Sequence, residues 1–141
     1  MQPKIAIIDF ETKFGYSIRH CLEKGDFRCD LYTDVCRHQP EGGLVKFCSV
    51  YGGVAEVPLA DYAVAFIGSL REGTSSAEEI ISTWKKLGIC CIGSSLIQVQ
   101  TLLMAGAEFL VDPQHCERFV GLWFPGIYQK ACDERKVHYS N

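Results

Sequence analysis

The sequence lacks any long apolar run. Nothing in it approaches the roughly 18 consecutive apolar residues of a membrane-spanning helix. The opening run Ile5-Ala6-Ile7-Ile8 is too short for the core of a secretion signal and is broken by Asp9. An excess of positive charge is also missing. Lys and Arg number 14 against 17 Asp and Glu, a net charge of −3, with no basic cluster. Such a chain is not expected to grip nucleic acid directly, because phosphate binding needs a concentrated positive field. No C-x-x-C pair occurs among the eight cysteines. His38 with Cys29, Cys36 and Cys48 is the one set resembling metal ligands, and its spacing fits neither a zinc ribbon nor a finger. No metal and no cofactor are therefore expected. The sequence also has no internal repeat and no low-complexity tract.

What is present has the size and mix of one globular domain: 141 residues, 48% apolar and 22% charged. The expectation is a cytoplasmic protein without a membrane partner. Lys4–Phe10 is a short β-branched run suited to a strand buried on both faces. Phe14, Ile18, Cys21 and Leu22 then fall at helical spacing, and Gly25 stops that helix. Phe27–Thr33 alternates like a strand near a sheet edge. Residues 34–60 are punctuated by glycine and proline and fit no helix of normal length, although Leu44–Tyr51 reads as a strand. Tyr62–Ile67 is another buried strand, followed by a loop over Gly68–Gly73.

Ser75-x-x-Glu78 and Ser76-x-x-Glu79 both read as capping boxes for a helix carrying Ala77, Ile80, Ile81, Trp84 and Leu87. Ile89–Ile92 is a further strand. Ser94 or Ser95 is placed to cap a helix bearing Leu96, Val99, Leu102 and Leu103. Phe109–Val111 is a last short strand before Asp112-Pro113. A helix over 115–124 follows, and Pro125-Gly126 is expected to kink or break it before 127–136 resume.

Strands thus alternate with helices. This predicts an α/β fold, a flavodoxin-like, doubly wound parallel five-stranded sheet in three layers. Ligand crevices in such sheets lie beyond the carboxyl ends of the strands. Those ends carry Asp9, Phe10 and Glu11, then Ile67, Gly68 and Ser69, then Gly93 and Ser94, and finally Asp112. Asp9 stands out, because an acid after four apolar residues costs stability unless something satisfies it. Capping of the first helix's amides is the plain explanation. Ser69 with Thr74, Ser75 and Ser76 similarly reads as helix capping rather than an anion cradle.

At these positions the sequence resembles a response-regulator receiver domain. Ile8-Asp9-Phe10-Glu11 resembles the acidic cluster ending that family's first strand. Gly25-Asp26-Phe27 is similar to the glycine and aromatic before its second. Ala105-Gly106-Ala107-Glu108-Phe109-Leu110-Val111-Asp112-Pro113 resembles its tail, one residue short. The resemblance covers about residues 1–124 and implies that 125–141 are a helical extension or a linker to a missing output domain. Receiver chemistry uses two acids for a metal, an aspartate that accepts phosphoryl, a hydroxyl and a lysine. Here the second acid is Phe10, Ala65-Phe66-Ile67-Gly68-Ser69 holds no carboxylate, and Asp112 stands in the lysine position. Ser94 supplies the hydroxyl.

The resemblance therefore implies a degenerate, non-phosphorylatable receiver with no enzymatic activity, part of a signalling or transcriptional regulator. Domains of that kind act on a protein partner or a second copy through the family's fourth helix, fifth strand and fifth helix. Gln98, Gln100, Glu108, Phe109, Arg118 and Trp123 are the candidates here.

A second resemblance offers the alternative. Lys4–Phe10 and Leu87-Gly88-Ile89-Cys90 look like parts of class I glutamine amidotransferase domains, which implies a small enzyme or ligand binder using the crevice near Asp9 and Cys90. The downstream His-x-Glu pair that activates such a thiol is missing at His115 and His138. Of the cysteines, Cys21, Cys29, Cys90 and Cys91 fall on apolar positions as small hydrophobes. Cys36, Cys48, Cys116 and Cys132 have no such assignment and are where redox chemistry would be sought.

Overall fold

The computed structural model describes residues 2–71 and 75–139, the last four of these in backbone only. Strand β1 (Lys4–Ile8) lies at the centre, with β2 (Cys29–Glu41) parallel on one side and β5 (Tyr62–Ile67) parallel on the other. Strands β6 (Cys90–Gly93) and β7 (Phe109–Leu110) continue the sheet beyond β5 in parallel. These five strands are the doubly wound core that the alternation of strands and helices predicts.

The expected count of five is corrected by the segment 34–60. It forms β3 (Leu44–Ser49) and β4 (Val54–Pro58), antiparallel to β2 and to each other, so that the sheet has seven strands in the order β4-β3-β2-β1-β5-β6-β7. Gly42 and Gly43 both hold positive φ, 61° and 81°, at the turn between β2 and β3. Two consecutive such residues match a tight hairpin turn to the twist of its strands. The hairpin thus stands in a crossover where a doubly wound sheet ordinarily places a helix.

Strand β2 shifts register against β3 three times within its 13 residues. Each shift leaves β2 with one or two residues more than β3 and bends the strand. The hairpin therefore lays Phe47 on the sheet's own face. Phe47 stacks on Tyr32 at 4.1 Å and meets Tyr62 and Trp84 edge-on at 6.2 and 5.9 Å. Trp84 belongs to α2 (Ala77–Lys86), and its indole N–H donates to the His38 carbonyl at 2.8 Å. Ser76 caps α2 by accepting the Glu79 amide at 3.1 Å, while Ser75 turns to His38 Nδ1 at 2.7 Å. Of the two capping boxes, only the second is used. Glu72, Gly73 and Thr74 lie outside the described residues.

Two hydrophobic layers flank the sheet. On one face α1 (Thr12–Lys24) and α4 (Phe124–Tyr139) cover Ile5, Ile7, Val64, Phe66, Cys90 and Ile92. On the other, α2, the hairpin and α3 (Val99–Ala105) cover Ala6, Ile8, Ala65, Ile67 and Cys91. Cys90 and Cys91 point to opposite faces, as neighbours in a strand must.

The proline at 125 does not break its helix. A π turn over Phe119–Trp123 leads straight into α4, with the Phe124 amide bonded to the Phe119 carbonyl. A wider turn relieves the clash between a proline ring and the carbonyl four residues earlier. Residues 125–139 belong to this helix. Within it Tyr128, Ala131, Cys132 and Arg135 are buried. The Arg135 guanidinium donates to the carbonyls of Tyr62 at 2.8 Å, Leu59 at 2.9 Å and Leu87.

Candidate functional site

Four backbone bonds bring the strand ends together. The Asp9 amide donates to the Tyr32 carbonyl, Phe10 to Ser69, Gly68 to Ile8 and Ser94 to Ile67, all at 2.7–3.0 Å. Asp9, Gly68 and Ser94 thereby converge on one buried point. Asp9 is 0% exposed and Ser94 1%. The Glu11 amide donates to Asp9 Oδ1 at 2.9 Å. Asp9 Oδ2 and Ser94 Oγ have no hydrogen-bond partner among the described residues.

Gly68 sits between them. A Cβ built on it would stand 2.1 Å from Asp9 Oδ2 and 3.1 Å from Ser94 Oγ. The Asp9 carboxyl therefore fills the space that a side chain at 68 would enter. Burial pushes its pKa up to about 7, against the amides of Glu11 and Ser69, which favour the charged form, while the nearby Glu11 charge adds to the rise.

The other sequence-predicted crevice residues spread outward. Phe10 is exposed, with the Arg71 guanidinium 6.0 Å from its ring centre. Glu11 is exposed at the start of α1 and makes no side-chain cap. Ile67 is fully buried in β5. Ser69 is half-buried and contributes its carbonyl. Ser94 does not cap α3, because its side chain is held inside the crevice. Ser95 Oγ instead accepts the Ile97 amide at 3.4 Å, and Gln98 opens α3 without a side-chain cap. Asp112 is half-buried and accepts the Gln114 amide at 2.9 Å, serving its own turn. The crevice opens into a cleft of about 420 Å³ lined by Ser69, Arg71, Ser76, Ser95 and Gln98 among others.

Sequence reading missed Asp34. It is 1% exposed, accepts the Arg71 amide at 2.9 Å and pairs with the Arg71 guanidinium at 3.6 Å. This bond ties the loop after β5 to the hairpin. Nothing in the irregular run 34–60 signals it.

Cys90 does not join Asp9. It opens β6, in register with Val64, whereas Asp9 follows Ile8, which pairs with Ile67. The two are at opposite ends of the strands. Cys90 is buried and donates to Glu108 Oε2 at 3.2 Å, and burial with that carboxylate pushes its pKa far up. Among the described residues, no three His, Cys, Asp or Glu are placed to hold a metal ion.

At the other edge, α3 and the π turn flank β7. Gln98, Gln100, Glu108 and Arg118 are exposed, and Phe109 is partly so. Trp123 is 65% exposed and Met104 82%, with Ile97, Leu103 and Leu122 also open to solvent. Phe109 and Phe119 lie 6.2 Å apart across the boundary between β7 and the π turn.

No protein-family model and no curated protein matches the sequence. Solved structures do match the fold. A receiver domain protein from Methanospirillum hungatei JF-1 superposes over 97% of this chain and 99% of its own, with TM-score 0.55 and 17% identity. The response regulator DrrB of Thermotoga maritima, an OmpR/PhoB homologue, matches at TM-score 0.58 and 17% identity, over 90% of this chain and 54% of its own. The orphan response regulator HP1043 of H. pylori matches at TM-score 0.51 and 17% identity, over 84% of this chain and 91% of its own. The chain has the fold of a response-regulator receiver domain, with a hairpin added at one edge. Among the described residues no helix is long and apolar enough to cross a membrane.

Proposed function

We propose that this domain is a receiver-like regulatory module that takes no phosphoryl group and signals through protein contact. One observation carries the reading. Gly68 directly follows β5, the strand whose terminus bears the phosphoryl acceptor in a receiver, and the Asp9 carboxyl occupies the space beside it. A nucleophilic carboxylate is lost, and no room remains for a side chain there. Asp112, in the lysine position, would repel phosphate rather than stabilise it.

The apolar surface on α3, β7 and the π turn favours a protein partner or a second copy as the contact, since patches of this kind mark interaction sites. DrrB is about twice the length of the segment it shares with this chain. That supports a role as the regulatory part of a longer regulator. The test is direct phosphorylation. After incubation with acetyl phosphate and magnesium, the intact mass is expected to be unchanged. A phosphoryl adduct that is labile to hydroxylamine would overturn the reading.

A further inference from the structure

We propose that Cys36 and Cys48 form a peroxide-responsive thiol pair that closes to a disulfide across β2 and β3. The two residues occupy facing strands of the added hairpin, where Asp34 pairs with Cys48 and Val35 with Phe47. The next register shift falls between Val35 and Arg37 and leaves Cys36 as the extra residue of a bulge. Its neighbour Val35 points into the core, and Cys36 itself is exposed. Cys48 is half-buried, and Cys36 lies close enough to help push its pKa up.

An accessible sulfur beside a second sulfur is the arrangement by which thiols report oxidant. The roles follow from exposure. Burial, with Cys36 nearby, keeps the proton on Cys48, whose pKa is pushed up to about 11. Cys36 is the attacking group. Its thiolate takes one hydroxyl of hydrogen peroxide, the O–O bond breaks, and the departing hydroxide takes up the proton that Cys36 had released and leaves as water. Cys48 then attacks the sulfenic sulfur, the S–O bond breaks, and the hydroxyl leaves with the Cys48 proton as a second water. The two sulfurs lose two electrons and the peroxide gains them.

A second pair supplies the internal control. Cys21 and Cys116 are 3.4 Å apart, but Cys116 is fully buried and Cys21 nearly so. Buried thiols of this kind are inert, and this pair is expected to stay reduced.

The hairpin pair also has a route to the crevice. Cys48 feels the charges of both Asp34 and Arg71, and Arg71 lies over Phe10. Oxidation would therefore act on the tie between hairpin and crevice mouth, an input in place of phosphorylation. This second half rests on the receiver-like reading, whereas the disulfide itself does not.

The test treats the full chain with hydrogen peroxide and maps tryptic peptides without reduction. Peptide 29–37 is expected joined to peptide 47–71, with fragmentation placing the link on Cys36 rather than Cys29. Two of the eight thiols disappear, and dithiothreitol restores them. Cys48→Ser is expected to leave Cys36 as a sulfenic acid that dimedone traps. Oxidised chain is expected to show NMR shifts at Arg71 and Phe10. Overoxidation of Cys36 without a link, a link between two chains, or closure of Cys21 with Cys116 first would overturn the pair. A disulfide that leaves Arg71 and Phe10 unshifted would overturn its role as input. Phosphoryl uptake would sink the receiver-like reading while leaving the disulfide standing.

Discussion

Asp9 Oδ2 stands 2.1 Å from the point a Cβ on residue 68 would occupy, so the buried acid and the glycine require each other. Gly68→Ala is expected to destabilise the domain by about 2–3 kcal/mol, the usual cost of overpacking a filled site. In an Asp9→Ala background the same change is expected to cost close to nothing. Urea denaturation of the four chains in this cycle gives the coupling. Equal costs in both backgrounds would mean that the two side-chain positions do not share this space.

The same carboxyl makes stability depend on pH. Its pKa rises from 3.8 unfolded to about 7 folded, so the folded state holds a proton that the unfolded state has released. The sign follows from this. The contribution is complete below about pH 3.8 and is lost as pH rises through about 7. Its size is at most on the order of 4 kcal/mol. Asp9→Asn is expected to flatten this slope in denaturation curves taken between pH 5 and pH 8. A wild-type stability that climbs across that range would contradict the assignment.

Arg135 joins α4 to three carbonyls at the far end of the sheet. Arg135→Met is expected to cost about 3 kcal/mol or more, because buried acceptors lose their donor. A change within about 0.5 kcal/mol is what a linker would give. Thermal denaturation distinguishes these.

The open apolar side chains on α3 and the π turn make the opposite prediction. Met104→Asp combined with Trp123→Asp is expected to change stability little, within about 0.5 kcal/mol per exposed site. Self-association or partner binding through that face is expected to fall by tenfold or more. Sedimentation of wild type and variant measures the first, and retained assembly in the variant would place the contact elsewhere.

The parallel core was legible because buried strands such as Tyr62–Ile67 are continuous apolar runs. Helices such as α2 carry both a periodic face and a cap. Of the hairpin, Leu44–Tyr51 was legible as the strand that becomes β3, but β4 and the pairing to β2 were not. Its bulges break the alternation that marks a strand, and the glycines that read as loop punctuation are the hairpin turns. At the site, Asp9, Gly68 and Ser94 were named from strand ends alone, because topology fixes where strand ends meet. That Asp9 takes the place of a side chain at 68 is a packing fact, and no pattern in the chain encodes it. Asp34 was hidden for a similar reason, since its partner Arg71 lies 37 residues away.

A domain of this kind accepts no phosphoryl group at Gly68. Beryllofluoride with magnesium mimics the phosphorylated state of a receiver, and an amide NMR titration reads the response residue by residue. Asp9, Gly68, Ser69 and Ser94 are expected to keep their shifts at every concentration. A saturable shift centred on these residues would contradict this expectation.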